Sequence, residues 1–154
     1  MNREFSLANF VLLNNKQMKT TNEITAWGSR SVSFWMTLLI AFGIIFVGAR
    51  FILNPTGAAA DFGIPISSAR DIAFGRIKGI RDIFSGLVLL PLLYLQMRRA
   101  TAWVFTAAII IPATDCLIIF TTNGPSDVPH LLIHGLTAVY MVIASFLLFR
   151  VKHS

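Results

Sequence analysis

Charged side chains are scarce in this 154-residue chain: they make up 13% of it, about half the share of an ordinary soluble domain. With a hydrophobic content of 55% and a mean hydropathy of +0.70, that scarcity excludes a conventional globular enzyme. Cysteine is nearly absent as well. The single thiol, Cys116, excludes an intramolecular disulfide and any CxxC redox or zinc pair. No phosphate-cradling loop, nucleophile motif or haem site is present, and there is no internal repeat or low-complexity tract. The length leaves room for one domain. Seven acidic residues against thirteen Lys and Arg give a formal charge of +6, which in a soluble protein would suggest a nucleic-acid partner.

What the chain does have is four long apolar runs, to be weighed against the roughly 20 residues a helix needs to cross a bilayer. The first is Val32 to Leu53, free of ionisable groups until Arg50. The second, about Gly79 to Met97, carries Pro91 in its middle, where a kink is expected. The third, Ala102 to Phe120, contains Pro112 and Asp115, and the fourth, Leu131 to Phe149, contains His134. One small soluble core cannot cover four such runs. The expected fold is therefore all-α: a transmembrane four-helix bundle, up-down-up-down. Trp27, Trp35, Tyr94 and Trp103 fall near span ends, where amphipathic rings favour the headgroup layer. Residues 1–31 form a polar tail, 32–150 the membrane domain and 151–154 a short C-terminal tail. The first lacks the features of a secretory signal, so no cleavage is expected. Met18, followed by Lys19, Thr20, Thr21, Asn22 and Glu23, reads as a start of its own, which would make the first seventeen residues an extension.

Charge by side sets the orientation. With four crossings, one face holds Arg3, Lys16, Lys19, Arg30, Arg98, Arg99, Arg150 and Lys152, and the other holds Arg70, Arg76 and Lys78. The positive-inside rule then places both termini in the cytoplasm, with a bacterial inner membrane as the expected location. The positive charge becomes a topological signal, and nucleic acid drops out as a partner.

Asn54 to Pro65 has the Pro and Gly punctuation of an ordered turn. Ser68 with Asp71 three residues on fits a variant capping box, so the second helix is expected to begin there and to be extended at its N-terminus. Asp71, Gly75, Gly79, Asp82 and Gly86 fall on one stripe of it. Small-residue stripes let membrane helices approach closely, within the chain or in a homo-oligomer built through Gly75, Gly79 and Gly86. Asp82 on such a face calls for a cation or donor opposite it.

Laid side by side, the four crossings bring Arg50, Arg81, Asp82, Asp115 and His134 to similar depth in the outer half of the bilayer. Arg50 and Arg81 could snorkel or pair. Asp115 is too short to reach water and should face the bundle, where Pro112 bends the helix by freeing the carbonyl of Ala108. His134 is the expected partner of Asp115. His130 and His134 share a helix face and could serve a metal with Asp82 and Asp115, but the pair is a weak signal, and the reading adopted has no metal and no cofactor. In a catalytic reading Asp82, Asp115 and His134 do acid–base work, while Arg50 and Arg81 bind the substrate.

Asn54-Pro55, the Ala58-Ala59-Ala60 to Phe62-Gly63-Ile64-Pro65 loop, Gly79-Ile80-Arg81-Asp82 with Gly86, Asp115 late in the third span, and His134-Gly135 opening the fourth make a recognisable order. Over about Thr37 to Phe149 the chain resembles a widespread domain-of-unknown-function family of small four-span membrane proteins, distantly like DoxX proteins in architecture. The resemblance implies a four-helix membrane bundle and no established activity. Some relatives of that architecture are linked to quinone or thiol redox chemistry, but thiol exchange would need a cysteine pair that this chain lacks. The expected function is binding or modification of a small lipophilic molecule at the polar cluster. The alternative is a structural or accessory subunit in which the cluster ties helices together. A transporter or proton path is disfavoured, because four helices leave little space for a pore.

Overall fold

The computed structural model describes residues 12–13 and 27–150. The Met18 start, the tail charges Arg3, Lys16 and Lys19, and the C-terminal Lys152 lie outside the described residues. Among the described residues from 27 onward, six helices follow in order: α1 (Val32–Leu53), α2 (Pro55–Phe62), α3 (Ala69–Tyr94), α4 (Arg98–Ala108), α5 (Ile110–Asn123) and α6 (Val128–Phe149). No strand occurs among the described residues. Among the described residues three stretches, namely α1, α4 with α5, and α6, are long and apolar enough to cross a membrane. Large apolar side chains such as Phe42, Phe46, Leu117, Leu136 and Phe146 point outward from them, as lipid-facing surfaces require. The chain is a multi-pass membrane protein. α3 is as long, with 26 residues and about 39 Å of rise, but its first turns carry Arg70, Asp71, Arg76, Lys78, Arg81 and Asp82.

α1 and α3 lie antiparallel in close contact, and the glycines explain why. A Cβ on Gly79 would stand 2.6 Å from the carbonyl oxygen of Gly48, and one on Gly86 would stand 2.5 Å from that of Ala41. Only hydrogens at these positions let the two backbones meet. Gly75 faces Pro55 and Phe51. The stripe of small residues on α3 therefore packs against the chain's own α1 and the start of α2.

α4 and α5 pack antiparallel against α6. Thr106 and Ser145 share a hydrogen bond of 2.5 Å between hydroxyls. Arg98 donates to the carbonyls of Leu148 at 2.8 Å and Leu147 at 3.2 Å, and to that of Arg150, closing the C-terminus of α6. The two helical pairs meet at this end through a core that includes Ala41, Leu93, Phe105, Ala144 and Leu148.

Trp27 belongs to that core. It is 2% exposed, and its indole N–H donates to Ser33 Oγ at 3.1 Å. The headgroup placement expected for it is corrected: the turn from Gly28 to Ser31 folds the ring back under α1. Trp35, Tyr94 and Trp103 do face outward.

The connection after α1 is also more regular than its punctuation suggested. Asn54 caps α2 by accepting from Gly57 N at 3.1 Å, Pro55 opens the helix, and Gly63 ends it at φ 100°, a left-handed geometry suited to glycine. The segment read as a turn is a helix with both ends capped. Ser68 caps α3 as expected, accepting from Asp71 N at 3.1 Å and donating to Asp71 Oδ2 at 2.6 Å. Pro112 has no N–H to give Ala108, and the third span breaks one residue later, at Ile109.

Candidate ligand cavity

Held together at one end by the core, the two helical pairs part at the other, and α2 lies across the gap. A cavity of about 690 Å³ results. Ile44, Val88, Leu89, Ile111 and Met141 supply apolar wall, while Phe46, Phe84 and Ile133 at its mouth are exposed, so it opens sideways between helices. Arg50, Asp61, Lys78, Asp82, Asp115 and His134 bring ionisable groups to it from α1, α2, α3, α5 and α6.

Lys78 Nζ meets Asp82 Oδ2 at 2.5 Å. Its ammonium also stands 4.7 Å from the ring centroid of Phe51 and 4.8 Å from that of Phe62, within cation–π range. Asp82 is buried, and this pair answers the demand for a cation beside it, from the same helix rather than from across the stripe. Arg50 Nη2 meets Asp61 Oδ2 at 2.5 Å, with 40% and 63% of the two side chains exposed. So open a pair adds little to stability; it does fasten α1 to α2.

His134 is buried, and its Nε2 lies 3.0 Å from the carbonyl oxygen of Phe62. A carbonyl can only accept, so Nε2 carries a proton and Nδ1 is the nitrogen left for exchange. The expected hydrogen bond to Asp115 is thus replaced by one to the backbone of α2. Asp115, half-buried on α5, has no hydrogen-bond or ion-pair partner among the described residues, and it lies within electrostatic reach of Lys78, His134 and Asp82.

A second network fixes the rim. Asn123 Nδ2 donates to Gly63 O at 2.7 Å and to Asp127 Oδ2 at 2.5 Å, and His130 Nδ1 lies 2.6 Å from Asp127 Oδ1. Hydrogen bonds from Asn123 and then His130 hold the Asp127 carboxyl below its ordinary range. The loop between α5 and α6 thereby latches the end of α2.

Of the residues singled out from sequence, Arg50, Asp82, Asp115 and His134 line the cavity. Arg81 does not. It is exposed, because one residue along a helix turns the side chain about 100° away from Asp82. His130 and His134 turn to different partners, and no group of three or more His, Cys, Asp or Glu able to hold a metal occurs among the described residues. Lys78, Asp61 and the Phe62 carbonyl were not singled out as part of the site. The Lys78 to Asp82 spacing of four was a legible signal; the other two depend on α2 folding across the cavity.

Comparison with curated proteins and with solved structures finds no match. A family model does match, over residues 41–148, a range that runs from the Gly86 contact on α1 nearly to the end of α6 and includes every ionisable group of the cavity. The chain belongs to the family described as Domain of unknown function (DUF4267).

Proposed function

We propose that the protein is a four-helix, up-and-down transmembrane bundle, with α3 as the fourth crossing, whose cavity binds a small lipophilic molecule entering sideways from the bilayer. The observation that carries this reading is a space of about 690 Å³ with a mainly apolar wall and ionisable groups gathered under α2. Small-molecule sites have this size and this division of labour, an apolar body with a few convergent polar groups. The basic residues support an orientation with both termini in the cytoplasm, as in a bacterial inner membrane, with α2 on the opposite side. If the bound molecule is modified, Asp115 and His134 Nδ1 are the groups free to exchange a proton with it, Asp82 being tied to Lys78.

Gly43 offers the test. It lines the cavity, and a Cβ there would meet nothing within 4 Å, so a larger side chain has room to start there and Gly43→Leu takes up space beside the cavity. Native mass spectrometry of the protein in a neutral detergent is expected to show a co-purifying apolar molecule that Gly43→Leu loses at unchanged melting temperature. A protein that carries no such molecule and binds no lipophilic probe would favour the structural reading. That second reading has its own support, since Lys78–Asp82 and Arg50–Asp61 are both paired within the chain.

A further inference from the structure

The cavity holds three carboxylates, two cations and one imidazole. Both cations are taken: Arg50 by Asp61 and Lys78 by Asp82, each at 2.5 Å. That leaves Asp115. Its oxygens accept no hydrogen bond among the described residues, yet no side-chain oxygen is sealed in packed protein without a partner, so the carboxylate opens onto the cavity space. Lys78 and His134 lie within electrostatic reach of it and line the same cavity; His134 donates through Nε2 to Phe62 O and keeps the lone pair of Nδ1 in the neutral ring. Each cation thus has a carboxylate in contact, and what the ion pairs leave over is one carboxylate and one imidazole lone pair, both acceptors, above an apolar wall.

Resting on the reading of the cavity as a ligand site, we propose that its ligand is a lipophilic amine, a primary or secondary ammonium on an apolar body, with the ammonium N–H groups on Asp115 and His134 Nδ1. Charge complementarity selects this class. An ammonium neutralises the odd carboxylate and makes charge-assisted hydrogen bonds, which are roughly twice as strong as neutral ones. A low-dielectric surrounding enlarges that advantage. A neutral alcohol would satisfy Asp115 with a single donor and no charge. A fatty carboxylate would add a fourth anion beside two cations already paired.

The test compares decylamine, decanol and decanoate, each titrated calorimetrically into the full-length protein in a neutral maltoside detergent, with Gly43→Leu as the reference for uptake by the micelle. Decylamine is expected to bind at least about tenfold more tightly than decanol, the difference that one charge-assisted contact supplies, with decanoate weakest. Asp115→Asn should bring the amine down to the level of the alcohol, since both then meet a neutral amide, while decanol, which loses no ion pair, should weaken much less than decylamine. Equal binding of amine and alcohol by the wild type, or an amine preference that persists in Asp115→Asn, overturns the assignment while leaving the cavity reading intact. If none of the three binds and Gly43→Leu changes nothing, the cavity reading fails together with it. The wild-type comparison decides the matter even if Asp115→Asn does not fold.

Discussion

Lys78 and Asp82, one helical turn apart on α3, meet at 2.5 Å with the lysine ammonium against the rings of both Phe51 and Phe62. The pair joins three elements, because Phe51 comes from α1 and Phe62 from α2. Asp82 is 8% exposed, and removing the lysine would leave a buried carboxylate with no cation in contact. Lys78→Met is expected to destabilise the protein by about 1–3 kcal/mol, less than for a fully buried pair because the lysine still reaches solvent. Lys78→Met with Asp82→Asn should recover much of that loss. Thermal unfolding of the two variants in detergent measures it, and a double variant no more stable than the single one would show that the rings, rather than the charge, hold the site.

The contact between Gly48 and Gly79 tolerates no side chain. Gly79→Leu would drive its Cβ toward a backbone oxygen 2.6 Å away, which only separation of α1 from α3 can relieve. The expected cost reaches or exceeds about 3 kcal/mol, the upper end for overpacking, and should appear as loss of the monodisperse peak in size-exclusion chromatography. Gly43→Ala meets nothing within 4 Å and should be neutral or raise stability by up to about 1 kcal/mol, since alanine is the better helix former.

Arg98 closes α6 through the carbonyls of Leu147, Leu148 and Arg150. These are groups that a helix C-terminus leaves without internal partners. Arg98→Ala should lower stability by about 1–2 kcal/mol, and hydrogen exchange should rise first in the last turn of α6. Exchange that stays unchanged there would mean that water replaces the guanidinium at no cost.

Asp127 lies between two spans, and its carboxyl is held below the ordinary value of 3.8 by Asn123 and His130. A carboxyl with a depressed folded-state pKa adds stability in full above the unfolded value, and that stability disappears as the pH falls through the folded value. The melting temperature should therefore drop on acidification below about pH 4 more steeply in the wild type than in Asp127→Asn. Parallel curves for the two proteins would count against the latch formed by Asn123, Asp127 and His130.

Much of this was legible along the chain. Hydropathy summed over a segment marks a membrane helix wherever it ends up, and the caps of α3 at Ser68 and the break beside Pro112 follow from groups that bond within a few residues of one another. The same local rules apply to α2: Asn54, Pro55 and Gly63 are its start and stop signals, hidden only because the segment was read as a turn. Asp82, Asp115 and His134 were legible as a group because an ionisable residue in an apolar run must face a partner.

The partners themselves were decided by tertiary structure. Which residue faces which depends on how each helix is rotated about its axis and how far the pairs splay, and hydropathy carries neither quantity. Close approach of Gly48 and Gly79 turned the small stripe of α3 onto α1. Splaying of the two pairs opened the cavity, and α2 folding over it brought Asp61 to Arg50 and the Phe62 carbonyl to His134. Composition and local bonding thus determined a multi-pass helical membrane protein with ionisable groups set into its apolar runs, whereas the through-space packing of backbones decided which of those groups were paired and left Asp115 open to the cavity.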